Sequence, residues 1–157
     1  MPDSNALRQH LLYLLGGAGA HVDFDSVIAG WPAKLRGSKP EGLPHTAWQL
    51  LEHMRIAQWD ILEFSRNPKH VSPEWPKGYW PEPCHRPTEE EWIKTLNGFL
   101  KDMNGAVKLA EDADIDLLSM VPQTENTYLR ELMIIIEHNS YHFGKILDIR
   151  KSLGDWK

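Results

Sequence analysis

Apolar residues recur at the spacing of an α-helix in four stretches of this chain, and nowhere do they alternate at the spacing of a β-strand. No Asn-Gly turn joins two apolar runs either. The hydrophobic surface on offer is therefore a set of helical stripes, and stripes of that kind are covered by packing helix on helix. With 157 residues, 41% of them hydrophobic, there is material for one packed core and no reason to divide it. The expectation is an all-α four-helix bundle formed by a single domain, residues 1–157.

The punctuation between the stripes sets the expected bounds. A first helix should run from Asn5 to Leu15, with Ser4 as N-cap and Gly16-Gly17 as the stop. A short amphipathic piece, "DFDSVIAGW", precedes Pro32, and "KLRGSKPEGLP" reads as a loop. A second long helix is expected from about Thr46 to Ser65, ended by Asn67-Pro68. Its apolar face reads Leu50, Ala57, Ile61 and Phe64, with His53 inside the stripe. The stretch "HVSPEWPKGYWPEPCHRP" carries five prolines and cannot be a helix. So long a Pro/Trp-rich loop between helices 2 and 3 is usually functional or mobile. Trp75, Tyr79 and Trp80 argue for order, since such rings need a surface to cover. The third helix opens at Thr88, which has capping-box spacing to Glu91, and runs to about Ala110. The fourth starts near Thr127 and ends before Gly154.

Composition removes several classes of function. The net charge of -5 leaves no basic footprint for nucleic acid. No run of 18 apolar residues could span a membrane. The apolar block Leu11–Leu15 is too short for a signal peptide, and Asp3 stands where a positive charge is wanted. The single cysteine, Cys84, excludes an internal disulfide and suits a reducing cytoplasm. Beside His85 it has the residue types of a thiolate nucleophile, although a lone cysteine next to a histidine is more often incidental.

The chemistry concentrates in "IIIEHNSYHF", residues 134–143. His138 and His142 are four apart, which on a helix sets them on one face with Cβ atoms about 5–6 Å apart. Two imidazoles so placed can share an ion at about 2.0–2.1 Å, or each can bond to backbone and neighbours instead. Eight histidines in the chain make about 0.4 such pairs expected by chance, so spacing alone is weak. His53 changes the balance: it is a third core-directed histidine, on a different helix. Three protein ligands with an open position describe a reactive metal site, whereas structural zinc usually has four. Other metal patterns fail. "HNSYH" lacks the glutamate of a zinc peptidase, the single E-x-x-H (Glu82 to His85) lies in the proline-rich loop, and "GGAGA" follows a helix rather than a strand.

"AWQLLEHMRIAQWDIL" together with "EHNSYHFGKI" resembles the DinB-like (YfiT-like) family of metal-dependent helical proteins, across most of the chain and in helix order. The resemblance implies a four-helix bundle and a metal site formed by His53, His138 and His142. It also implies a divalent ion such as zinc or nickel, and a homodimer. Relatives include thiol-dependent transferases and isomerases that use bacillithiol or mycothiol, beside many members without known activity. Similar sequences often read "HxGQ" after the second histidine, where this chain reads "HFGK". Lys145 thus replaces a neutral amide. An ammonium there would oppose cation binding and favour an anionic substrate, unless its stem packs while its head reaches solvent.

A ligand histidine usually donates its other N–H to a carboxylate, amide or carbonyl. Gln49, Glu137 and Asn139 are the candidates by position, each with a plain surface or core role as the alternative. Trp48 and Trp59, with the aromatic loop, would wall a pocket for a small-molecule substrate, Trp75 and Trp80 acting as a lid; core packing is the alternative for each. Three functions compete: a metal-dependent enzyme that moves a low-molecular-weight thiol to an electrophile or hydrolyses an ester or amide; a protein that binds metal or a small ligand without turnover; and a dimeric scaffold with vestigial histidines. No catalytic residue beyond the metal ligands is named by the sequence. Imidazole ligands must be neutral, so metal should leave as the pH drops below about 6.

Overall fold

A computed structural model describes residues 2–17, 19–82 and 85–156. Its α-helices are α1 (Pro2–Leu15), α2 (Phe24–Ile28), α3 (Ala33–Arg36), α4 (Ala47–Arg66), α5 (Glu89–Glu111) and α6 (Tyr128–Ser152). A 3-10 turn, Lys77–Tyr79, interrupts the proline-rich loop. Among the described residues there is no strand, only an isolated antiparallel bridge between Met120 and Thr127. The protein is all-α, as its periodicity requires. No helix among the described residues is long and apolar enough to cross a membrane.

Local chemistry explains most of the bounds. Thr46 and Thr88 each accept from the backbone N–H three residues on, while Gln49 and Glu91 reach back to the cap's own N–H. Both helices therefore open on complete capping boxes. Thr127 caps α6 through the N–H of Arg130, and Asp23 caps α2 through that of Ser26. The C-terminal carbonyls near α5 are met from elsewhere: the Arg8 guanidinium of α1 donates to Ala110 O, to Asp112 O at 2.9 Å and to Ile115 O at 2.8 Å.

Three local expectations need correction. Helix α1 starts at Pro2, so Ser4 lies within it rather than capping it; a proline suits the first helical turn because it has no N–H to satisfy. One helical turn, α3, occupies residues 33–36 at the start of the expected loop. It holds because Arg36 is buried, with its guanidinium over Trp92 and bonded to Glu89 and to the Trp31 carbonyl. The buried stripe of α4 also runs wider than Leu50, Ala57, Ile61 and Phe64. It includes Leu51, Met54, Gln58 and Leu62, whereas Ile61 and Phe64 are half-buried. The reason is that α4 packs on two partners, α5 and α6.

Each long helix touches two others: α4 packs on α5 and α6, and α1 packs on the same pair. Two apolar clusters result. One gathers Leu50, Leu51 and Met54 of α4 with Trp92 and Phe99 of α5, Ile146 and Ile149 of α6, and Trp31. The other joins Leu11 and Leu15 of α1 to Leu62, Ala106, Leu132 and Ile135. At about 25 cal/mol per Å² of buried apolar surface, these clusters supply the main driving force for folding. The polar groups of interest lie where α4 meets α6.

Candidate metal centre

His53 comes from the middle of α4; His138 and His142 come from successive turns of α6. Each offers one ring nitrogen, and the three nitrogens lie within 4.8 Å of one another. His53 is 3% exposed and His142 7%. The rings meet edge to face, with centroids 4.5–4.9 Å apart. Such a group could hold a metal ion.

The hydrogen bonds set the tautomers. His53 Nδ1 stands 2.9 Å from the carbonyl oxygen of Tyr79. A carbonyl only accepts, so Nδ1 carries the hydrogen and Nε2 keeps its lone pair. That lone pair faces His138 Nε2 at 3.1 Å. Two nitrogens bound to one tetrahedral ion stand about 3.3 Å apart, given bonds of about 2.0–2.1 Å. Without an ion, the contact requires His138 Nε2 to donate its N–H to His53. Either arrangement satisfies two rings. The third is left short: His142 Nδ1 is buried and has no hydrogen-bond partner among the described residues.

The donors are also in the right charge state. Burial, and then the neighbouring His53, pushes His138 down to about 4. Burial, followed by His138, His53 and Lys145, pushes His142 down to about 3. His53 is lowered as well, chiefly by burial, against the opposing bond to Tyr79. All three are neutral at pH 7, the form a metal requires. The donor set and the 3.1 Å approach fit a metal ion.

The proline-rich loop supplies what surrounds the histidines. Trp80 stacks on His53, with centroids 3.9 Å apart and planes 1° off parallel, and also on His45 at 4.5 Å. The loop is pinned through Asp60 of α4, which accepts from the Tyr79 hydroxyl at 2.6 Å and from His70 Nε2 at 2.7 Å. Burial and the Asp60 carboxylate push the Tyr79 phenol up to about 12, so it stays a donor. Beside His142 a pocket of about 290 Å³ opens, bounded by His45, Trp80, Tyr141 and Lys145 among others.

The other anticipated residues go elsewhere. The Gln49 side-chain oxygen accepts from the Thr46 N–H at 3.0 Å, inside the capping box, and so is not the partner of His53. Asn139 is buried but donates to Gln58 Oε1 at 2.7 Å, and Gln58 in turn donates to the Phe99 carbonyl. Glu137 is exposed on the outer side of α6. Trp48 packs in the core near Trp92 and does not line the pocket. Trp59 lies edge-on to His70. Trp75 is 70% exposed, touches Tyr79 and covers nothing at the site. Lys145 is exposed at the pocket mouth, its Nζ 4.8 Å from the Tyr141 ring centroid. Cys84 lies outside the described residues.

Sequence reasoning missed the Tyr79 carbonyl, His45 and Tyr141. His45 and Tyr141 carried faint signals, one just ahead of a helix cap and one a residue before His142; a backbone carbonyl carries none. Comparison of the chain with protein-family models, with curated proteins and with solved structures returns no match.

Proposed function

We infer that this chain is a metal-dependent enzyme built as a four-helix bundle of the DinB-like kind, which transfers a low-molecular-weight thiol to a small electrophile. The observation that carries the reading is the convergence of three neutral histidine nitrogens, from two helices, beside a pocket large enough for a small molecule. Zinc or nickel held by His53, His138 and His142 would supply a positive charge that favours the thiolate form of a bound thiol.

The chain's own residues have definite parts in this scheme. The three imidazoles are neutral and leave the charge of a cation undiminished. Trp80 and Tyr141 line the pocket with aromatic surface. His45, lowered by burial and by Lys145, is an uncharged imidazole on the pocket wall and can accept the thiol proton before passing it to water. The sulfur–carbon bond forms as the leaving group departs with its electron pair. The reading carries with it a homodimer and a reducing, cytoplasmic setting in which a free thiol persists.

Hydrolysis of an ester or amide is the second reading, and His45 is the observation that favours it, since the same imidazole could take a proton from water. The test loads the protein with zinc or nickel and offers bacillithiol, glutathione or cysteine with monochlorobimane, and separately an activated ester. Metal-dependent conjugation that disappears in His142→Ala supports thiol transfer. Metal-dependent ester cleavage alone selects the hydrolase. Equal rates for wild type and variant in both assays would leave a protein that binds metal or a small ligand without turnover.

A further inference from the structure

The pocket beside His142 has a divided wall. Leu43, Leu50, Trp80 and Ile149 give it an apolar interior. Lys145 and Asp148, three residues apart on α6, give it two opposite charges at one side. Residues at this spacing on a helix can reach each other, yet neither Lys145 nor Asp148 is in an ion pair among the described residues. The Lys145 ammonium lies over the Tyr141 ring instead. The two histidines on the wall, His45 and His142, are both neutral at pH 7.

A simple carboxylic acid would satisfy Lys145 and be repelled by Asp148; a simple amine would meet the reverse problem. A molecule with both an ammonium and a carboxylate on one carbon answers both charges at once, while its side chain enters the apolar interior. The cavity, about 290 Å³, is at the small end for ligand sites, which suits a single amino acid better than an extended peptide. We propose that this pocket binds an α-amino acid with an apolar or thiol-bearing side chain, its carboxylate on Lys145, its ammonium on Asp148, and its side chain directed past Trp80 toward His142. Any reaction of the bound amino acid rests on the metal-dependent reading, but binding itself needs only this chain's side chains.

The test is therefore made on metal-free protein, so that each reading can fail alone. Isothermal titration compares L-phenylalanine with its N-acetyl derivative, which lacks the ammonium, and with its amide, which lacks the carboxylate. Each loss should weaken binding about fivefold, the scale of one partly exposed ion pair. The variants must then cross over: Lys145→Met removes the preference for acid over amide, and Asp148→Asn removes the preference for free over acetylated amine. Circular dichroism of both variants should match wild type, because neither side chain is part of the buried core. Equal binding of the three compounds, or no binding of phenylalanine at millimolar concentration, overturns the proposal. The metal stoichiometry of the same preparation is measured separately and bears only on the metal site.

Discussion

The Nδ1–H of His53 donates to the carbonyl oxygen of Tyr79 at 2.9 Å, tying a core helix to the most proline-rich stretch of the chain. This bond fixes which nitrogen of His53 faces the other two histidines. It also gives the loop a purpose beyond connection. Tyr79 is held in turn by Asp60, which accepts from its hydroxyl and from His70 on the same loop. A buried carboxylate on α4 thus holds the backbone that orients a histidine two turns earlier on the same helix.

Asp60→Asn is expected to loosen that arrangement. The substitution removes the charge and one of two acceptors, leaving the Tyr79 hydroxyl or His70 unpaired in a buried setting. Stability should fall by about 1–3 kcal/mol, read by urea denaturation. Zinc affinity should fall about tenfold, as for other residues that orient metal ligands, read by competition with a chromophoric chelator. Unchanged zinc affinity alongside reduced stability would mean that the loop does not position His53.

Gln49 offers the opposite contrast. Its amide closes the capping box of α4 and does not reach His53. Thr46→Ala should cost about 0.5–2 kcal/mol and Gln49→Ala toward the lower end of that range. Neither should alter zinc affinity once the protein is folded. A marked loss of affinity in Gln49→Ala would assign that amide to the metal site after all.

Acid should destabilise the metal-free protein through these histidines. Their folded values, about 4 for His138 and about 3 for His142, lie below the ordinary value near 6.5 that the unfolded chain retains. As the pH falls from about 6.5 the unfolded chain takes up protons that the folded one refuses. Stability is fully present above about 6.5 and drains away toward pH 4. Urea denaturation at pH 7.5, 6 and 5 should show this fall, and His138→Gln/His142→Gln should flatten it. The same shifts revise the expected release of metal. Protons compete for these two rings only near pH 4, so occupancy should hold at pH 6 and fall below 5. Release complete by pH 6 would contradict that burial.

Much of this was legible in the residues. Helices α4, α5 and α6 begin within a residue or so of their expected starts because each opens on a threonine cap, backed in α4 and α5 by a Gln or Glu three residues on. The start of α1 was not: the helix opens at Pro2, three residues ahead of the expected Asn5. The histidine cluster was legible because both its signals, a spacing of four and a place within an apolar stripe, survive folding unchanged. Its surroundings were not. Gln49 stands one turn from His53, and only the cap geometry tells where its amide goes. Asn139 flanks His138, but helical rotation turns it toward Gln58. Trp80 reaches His53 through a loop whose path follows no period, and the acceptor that orients His53 is a backbone oxygen that any residue could have supplied.

The central claim is that His53, His138 and His142 together hold one divalent ion. Elemental analysis of protein purified without a histidine tag, followed by zinc titration after chelator treatment, tests it most directly. One zinc or nickel per chain is expected for wild type, and His53→Ala, His138→Ala and His142→Ala should each retain far less while keeping a helical circular dichroism spectrum. Folded wild-type protein that carries no stoichiometric metal and takes up none on titration, or a triple variant that binds as much as wild type, would contradict the account.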